Sequence, residues 1–190
     1  MADALTIYQS SKEVNPFSSK FDQWQAGQAD LSEQELIGLE LFTKRGKCRN
    51  CHVTRWHDAD QPVVLFTKFI YENIGSPRHP DLPFYSEKQN PAGVNWVDEG
   101  LFFTTKDSAD RGKLKVPTLR NVALTAPYFH NGALKTLEEV VRFYNKPAEF
   151  GAAEVPENVN RVEVGDLNLL PEEEAAIVAF LKTLTDGYQK

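Results

Sequence analysis

Two cysteines, separated by two residues and followed directly by a histidine, constrain this chain more than any other feature. They are Cys48, Cys51 and His52, and the 190 residues contain no other cysteine. A Cys-x-x-Cys pair can be a redox dithiol or half of a zinc site. A zinc site needs two further ligands at close spacing, and a thioredoxin-like dithiol needs a βαβ unit. The sequence shows neither of these contexts.

The histidine after the second cysteine favours a third kind of site. Cys-x-x-Cys-His is the attachment signature of c-type haem. In such sites two thioether bonds hold the ring and the adjacent histidine ligates the iron. The sequence therefore predicts one covalent haem c, bound through Cys48 and Cys51, with His52 as an axial iron ligand. Because this haem is attached outside the bacterial cytoplasm, we expect a periplasmic or otherwise exported protein.

Composition excludes several classes of function. The chain is 41% hydrophobic and 25% charged, as in an ordinary globular domain. It has no run of about 18 apolar residues, so no membrane span is expected. The formal net charge of -6 argues against nucleic acid and mildly favours partners with a basic patch. The first residues lack the basic and apolar segments of a signal peptide, so we expect the export signal to belong to a longer precursor.

One predicted helix ends immediately before the cysteine motif. Ser32 and Glu35 form a capping-box pattern at its start, and Gly46 is suited to its end. On this helix Gly38 stands one turn before Phe42. A glycine in that position allows another helix to approach the backbone closely.

Two more helices are predicted in the second half of the chain. Thr136 and Glu139 repeat the capping-box pattern, and Pro171 is a favoured first helical residue. The apolar face of the last helix consists of Ile177, Phe180, Leu181 and Leu184, at helical spacing. Crossing the last helix with the first one, at Gly38, would bury both apolar stripes.

The remaining segments are less regular. Residues 1–31 are polar and turn-rich and predict an extended N-terminal arm, and residues 53–115 predict a long irregular excursion around the haem. We therefore predict a mostly α fold. It consists of the arm and a class I cytochrome c-like haem domain over residues 32–190, with the irregular insertion at about 53–115.

A second motif spans residues 115–132. Its sequence, KVPTLRNVALTAPYFHNG, resembles the C-terminal haem domain of the bacterial di-haem cytochrome c peroxidase and MauG family. Residues 15–22, 38–42 and 169–174 also fit that domain, so the resemblance covers most of residues 15–186.

The resemblance implies a peroxidase-type oxidoreductase with hydrogen peroxide as oxidant. Family members usually carry a peroxidatic haem in an N-terminal domain and an electron-supplying haem in the C-terminal one. Only the second Cys-x-x-Cys-His motif is present here. The chain would then transfer electrons through its haem to a second haem domain. A free-standing mono-haem electron carrier without peroxidase activity remains the alternative. The expected partner is a redox protein, which could be a cytochrome, a cupredoxin or a protein substrate.

The resemblance also bears on the iron ligand opposite His52. Typical peroxidases have a methionine fourteen residues after the histidine that matches His130. Tyr144 stands there in this chain, and the sole methionine is Met1. MauG likewise has tyrosine at this position. An anionic phenolate stabilises ferric and higher iron states over ferrous iron, whereas a thioether does the opposite. Packing on an amphipathic helix is the other interpretation of Tyr144, and both stay open.

Three further site residues are expected. Thr125 and Pro127 match positions whose carbonyls bind calcium in the family, together with an asparagine of the N-terminal domain. Arg120 suits a haem propionate, because guanidinium pairs bidentately with carboxylate, and a structural salt bridge is the alternative. The counterpart of His130 lies near the region between the haems and is not an axial ligand.

The other histidines and the tryptophans are assigned ordinary roles. His57 and His79 are interpreted as loop residues. Core packing is preferred over electron relay for Trp24, Trp56 and Trp96. No distal acid–base pair for peroxide cleavage is recognisable, so no catalytic residue is predicted.

Overall fold

The computed structural model describes residues 2–54, 63–86 and 88–189. The helices within them are α1 (Ala2–Gln9), α2 (Lys20–Gln25), α3 (Glu33–Thr43), α4 (Phe102–Thr105), α5 (Leu137–Asn145) and α6 (Pro171–Lys182). Two short strands, β1 (Tyr71–Glu72) and β2 (Leu114–Lys115), pair antiparallel with Tyr71 opposite Lys115 and Glu72 opposite Leu114. The mostly α character predicted from the sequence is confirmed.

Helices α3 and α6 form the main helix–helix contact, and Gly38 makes it possible. A Cβ added to Gly38 would overlap the backbone carbonyl oxygen of Ala176 and would lie 2.9 Å from the Cβ of Phe180. The two backbones therefore meet at a distance that only glycine allows. The predicted crossing at this residue is confirmed.

Four phenylalanine rings form the centre of the core around this crossing. They belong to Phe21 of α2, Phe42 of α3, Phe66 of an irregular segment and Phe180 of α6, and each is at most 1% exposed. The centroids of Phe42 and Phe180 are 5.2 Å apart, and those of Phe21 and Phe66 are 5.1 Å apart. All these contacts are edge-to-face, the geometry favoured by the quadrupoles of aromatic rings.

The predicted helix starts are confirmed. The hydroxyl groups of Ser32 and Thr136 accept hydrogen bonds from the backbone N–H groups of Glu35 and Glu139, whose carboxylates accept from the cap backbones in return. Helix α6 begins at Pro171. The apolar face predicted at this end of the chain is buried.

The prediction of an extended arm over residues 1–31 is wrong. This segment contains α1 and α2, and α2 is closed by a capping box between Ser19 and Asp22. Aspartate takes the place of the usual glutamate or glutamine in this box. Phe21, on α2, packs into the core, so this part of the segment belongs to the folded body.

Between residues 63 and 115 the described chain is irregular. Besides the two strands and α4, it contains only single-turn 3₁₀ helices, at Pro83–Tyr85, Gly93–Asn95 and Ser108–Asp110. None of the described helices is long and apolar enough to cross a membrane.

Candidate haem-attachment site

The two cysteines and the histidine lie on one compact turn directly after α3. Cys48–Asn50 forms a 3₁₀ turn, and the backbone N–H groups of Cys51 and His52 both donate to the carbonyl oxygen of Cys48, at 3.2 and 2.8 Å. Lys47, just before the turn, has φ of 58°. The left-handed Lys47 starts the turn, so a few neighbouring residues define the positions of both thiols.

The imidazole of His52 is oriented by the backbone. Its Nδ1 lies 2.8 Å from the carbonyl oxygen of Phe66, a fully buried residue with φ of 52°. Burial lowers the pKa of His52, and hydrogen bonds with the carbonyls of Phe66 and Pro117 oppose this only in part. The ring is therefore neutral at physiological pH. With its proton on Nδ1, the lone pair lies on Nε2, the state in which histidine ligates a metal.

The chemistry of the thiols argues against the two other interpretations of the motif. Burial raises the pKa of Cys48 to about 12 and that of Cys51 to about 11, and the nearby carboxylate of Glu163 adds to both shifts. A redox dithiol needs a thiolate near neutral pH, which comes from a lowered pKa. Within the described residues, moreover, no three His, Cys, Asp or Glu side chains form a metal-binding group. A pair of protonated thiols beside a neutral imidazole fits covalent haem attachment.

The structure brings Tyr144 to the same place from a distant part of the sequence. Burial raises the pKa of its phenol, and so do the neighbouring groups of Cys48 and Cys51. Tyr144 lies on α5 and packs against Phe143, with ring centroids 5.8 Å apart. Its phenol is protonated at neutral pH in this environment. The predicted ligand thus lies beside the cysteine motif.

Arg120 is occupied by a protein carboxylate. Its guanidinium donates to both oxygens of Asp22, at 2.6 and 2.8 Å, and its Nε donates to the carbonyl oxygen of Val64 at 2.8 Å. Burial alone would raise the pKa of Asp22, but the hydrogen bonds and charge of Arg120, with Ser19, hold it below its usual value. This is the structural ion pair that the sequence left open as the alternative to a propionate contact.

The predicted calcium-binding carbonyls belong to an exposed turn. Thr125 follows a 3₁₀ turn over Val122–Leu124, and Thr125 and Pro127 are both exposed. In the described part of the chain no hydrogen bond to either carbonyl oxygen is found. Both oxygens are available to a cation, which leaves calcium binding a prediction.

The remaining histidines and tryptophans lie apart from the motif or outside the described residues. Nε2 of His130 is 3.8 Å from Asp98, and burial lowers the pKa of this histidine against the opposing effects of Asp98 and Glu154. His79 accepts a hydrogen bond from the backbone of Asp81. His57 and Trp56 lie outside the described residues. Trp24 packs against the core, as predicted.

Sequence reasoning missed two residues that organise this site. Phe66 supplies the carbonyl for His52, and nothing in its local sequence signals a left-handed backbone. Asp22 neutralises Arg120. The Ser19-x-x-Asp22 pattern could have revealed the helix that carries Asp22, but not its distant partner.

Comparison with known proteins places the chain in a family. No family model matches it. It is 35% identical to the methylamine utilization protein MauG of Paracoccus denitrificans, over 97% of this chain and 51% of that protein. It is 32% identical to the cytochrome-c peroxidase IdrP1 of Denitromonas iodatirespirans, over 96% of this chain and 48% of the relative. The chain thus spans about half the length of these relatives.

A solved structure gives the same result at the level of the fold. The diheme peroxidase BthA of Burkholderia thailandensis superposes on 97% of this chain with a TM-score of 0.80 and 33% identity, and half of that protein is covered. Sequence and structure agree over nearly the whole chain. The chain therefore belongs to the family of haem-containing oxidoreductases formed by MauG and the di-haem cytochrome c peroxidases.

Proposed function

We propose that this chain is a c-type cytochrome domain that carries one covalent haem c and transfers electrons through it. It would act as the electron-supplying, C-terminal half of a MauG-like di-haem protein. The observation that carries the proposal is that Tyr144 of α5 and Cys48 of the turn after α3 pack against the same buried core, with the phenol near both thiols. Protonated thiols and a neutral imidazole are the groups that this cofactor requires.

Each residue has a distinct role in this proposal. Cys48 and Cys51 would hold the ring through thioether bonds, and His52 would ligate the iron, with its ring fixed by the Phe66 carbonyl. Tyr144 would be a second protein ligand of the iron, in its phenolate form. When bound, the haem supplies a one-electron iron couple. The fold around it is a class I cytochrome c-like body in which residues 53–115 form an insertion.

We infer the activity of the whole protein from its relatives. MauG and the peroxidases named above support an exported, peroxide-dependent oxidoreductase with a second haem domain. Its redox partner would be a cytochrome, a cupredoxin or a protein substrate, and calcium would bind the carbonyls of Thr125 and Pro127.

One observation favours a second candidate function. Because the sequence has a single Cys-x-x-Cys-His motif, a mono-haem electron carrier without peroxidase activity also fits.

Intact-mass spectrometry of the denatured protein, produced with a haem-attachment system, tests the proposal. We expect the polypeptide mass plus one haem. The double variant Cys48→Ala/Cys51→Ala should have the mass of the bare chain, because no other cysteine can form a thioether. A wild-type mass equal to that of the bare chain would overturn the proposal. The full reading frame of the gene separates the two candidate functions, because a second Cys-x-x-Cys-His motif upstream is expected for the di-haem protein and not for the mono-haem carrier.

A further inference from the structure

A cluster of buried polar and aromatic side chains lies outside the site described above. Its centre is the hydrogen bond that the phenol of Tyr85 donates to Oε1 of Glu154, at 2.7 Å. Tyr85 is 7% exposed, and the side chain of Glu154 is 3% exposed. A buried phenol that donates to a buried carboxylate has no role in haem attachment.

Arg78 packs against one side of this pair. Its Nε lies 3.3 Å from Oε1 of Glu154, and its guanidinium carbon lies 4.3 Å from the centre of the Tyr85 ring. The terminal nitrogens of Arg78 donate to the backbone carbonyls of Val94 and Trp96. The second oxygen of the carboxylate is buried and has no hydrogen-bond partner within the described residues. The carboxylate is therefore fixed in place but keeps an unused acceptor position.

Aromatic rings connect the buried phenol to the surface. The ring of Trp96 lies 5.8 Å from that of Tyr85 and 4.5 Å from that of Phe84. Trp96 is half-buried and Phe84 is 48% exposed. An electron donor at the surface could thus reach Tyr85 through a single intervening indole.

We propose that Tyr85 is a redox-active tyrosine that passes its phenol proton to Glu154 when it loses an electron, with Trp96 as the relay to the surface. In the forward step the O–H bond of Tyr85 breaks, the proton goes to Oε1 of Glu154, and one electron leaves for a strong one-electron oxidant. A neutral tyrosyl radical remains. An external donor then returns an electron through Trp96, and Glu154 returns the proton. The oxidant would be the haem of this chain after the peroxidatic haem of the second domain has oxidised it at the expense of peroxide, so this inference rests on the proposed function.

The surroundings of the phenol explain why the proton must move with the electron. Burial, the hydrogen bond to Glu154 and the charge of that carboxylate raise the pKa of Tyr85 well above its ordinary value, so the resting phenol is protonated. An oxidised phenol is strongly acidic and loses its proton to the nearest base. The guanidinium of Arg78 over the ring further disfavours a radical that keeps its positive charge.

Tyr128 provides a matched comparison within the same chain. Its hydroxyl also donates a hydrogen bond at 2.9 Å, but to the backbone carbonyl of Val122, and burial raises its pKa as well. A carbonyl oxygen cannot hold a transferred proton as a carboxylate can. Tyr128 should therefore resist oxidation under conditions that oxidise Tyr85.

Photo-oxidation of the holoprotein tests the inference without peroxide. Photogenerated tris(bipyridine)ruthenium(III) serves as the oxidant, and frozen samples are examined by electron paramagnetic resonance. We expect a neutral tyrosyl signal in the wild type that is retained in Tyr128→Phe and lost in Tyr85→Phe and Glu154→Gln. The radical should form more slowly in Trp96→Phe. A signal that persists in Tyr85→Phe, or that disappears in Tyr128→Phe, overturns the assignment.

A second arm replaces the ruthenium complex with hydrogen peroxide, uses the protein joined to its second haem domain, and keeps the same variants. The Tyr85 signal should again appear and depend on Glu154. If it forms under photo-oxidation but not with peroxide, the redox-active tyrosine is upheld and the peroxide-dependent function fails. An unchanged rate of radical formation in Trp96→Phe under photo-oxidation, where the oxidant is at the surface, would remove the relay from the proposal.

Discussion

At the scale of single residues, the site combines groups from one short segment with groups from distant parts of the sequence. Cys48, Cys51 and His52 could be assigned from the sequence because their spacing is the chemical signature itself. The carbonyl of Phe66 could not, because a left-handed backbone at a phenylalanine depends on the surrounding core and not on neighbouring residues. The ion pair of Arg120 with Asp22 was missed for the same reason: its partners are far apart in the chain.

Substitution of Tyr144 tests its role at this scale. Tyr144→Phe keeps the ring and its packing on Phe143 but removes the phenol oxygen. If the phenolate binds ferric iron, its loss should favour the ferrous state. We expect the reduction potential to rise by more than the roughly 59 mV that corresponds to a tenfold change in a one-electron equilibrium. Redox titration with visible spectroscopy measures the shift.

Tyr128→Phe is the matched control, since it removes a hydroxyl that bonds to a carbonyl oxygen. Its potential and spin state should match those of the wild type. An unchanged spectrum and potential in Tyr144→Phe would assign Tyr144 to core packing. The ferric wild type should also lack the weak near-infrared band of thioether ligation, because its only methionine is Met1.

At the scale of elements, helix starts and the helix crossing were predictable, while the N-terminal helices were not. Capping boxes involve residues three apart, so Ser32 and Thr136 revealed α3 and α5 directly. The crossing at Gly38 followed from a small residue on an apolar face. Helix α2 was not predicted, because its capping box uses aspartate in place of glutamate or glutamine. The irregular segments between 63 and 115 have no periodicity from which their path could be derived.

The crossing of α3 and α6 predicts a cost for any side chain at Gly38. Gly38→Ala should destabilise the holoprotein by about 1–3 kcal/mol, because the added methyl group overlaps the Ala176 carbonyl and forces the helices apart. Urea unfolding followed by circular dichroism measures this change. Gln34→Ala, at an exposed position of the same helix, should change the free energy of unfolding by less than about 0.5 kcal/mol. Equal stabilities of the two variants would show that the helices can separate without cost.

The cap of α5 supports the helix that carries Tyr144. Thr136→Ala removes the hydroxyl that accepts a hydrogen bond from the Glu139 N–H at 3.1 Å, and should cost about 1 kcal/mol. Thr136→Ser keeps that hydroxyl and should have nearly the stability of the wild type. Thermal unfolding of both variants, followed by circular dichroism, distinguishes them. A Ser variant as unstable as the Ala variant would point to packing of the threonine methyl group instead.

At the scale of the whole molecule, a buried ion pair joins the N-terminal segment to the body. Asp22 lies on α2, and Arg120 connects it to the segment around Val64. Because the folded protein holds the pKa of Asp22 below its usual value, the pair stabilises the fold at pH values above the unfolded pKa of about 3.9. This stabilisation is lost as the pH falls from there through the folded pKa.

Acid unfolding of Asp22→Asn tests this connection. The variant should be less stable than the wild type at pH 7, and the difference should shrink as the pH falls below about 4. Urea unfolding at a series of pH values measures both. Asp81→Asn, at an exposed aspartate, controls for the loss of one negative charge. A difference between Asp22→Asn and wild type that is constant down to pH 2 would exclude the ion pair as its cause.

The separate origins of the turn at Cys48–Asn50 and of Tyr144 have an evolutionary consequence. The turn closes through its own backbone hydrogen bonds, while Tyr144 belongs to a helix with its own cap. A mutation at position 144 would therefore leave the proposed covalent anchor intact. A lineage could exchange tyrosine for another ligand by a single codon change, and a new reactivity could arise in a protein that still matures normally.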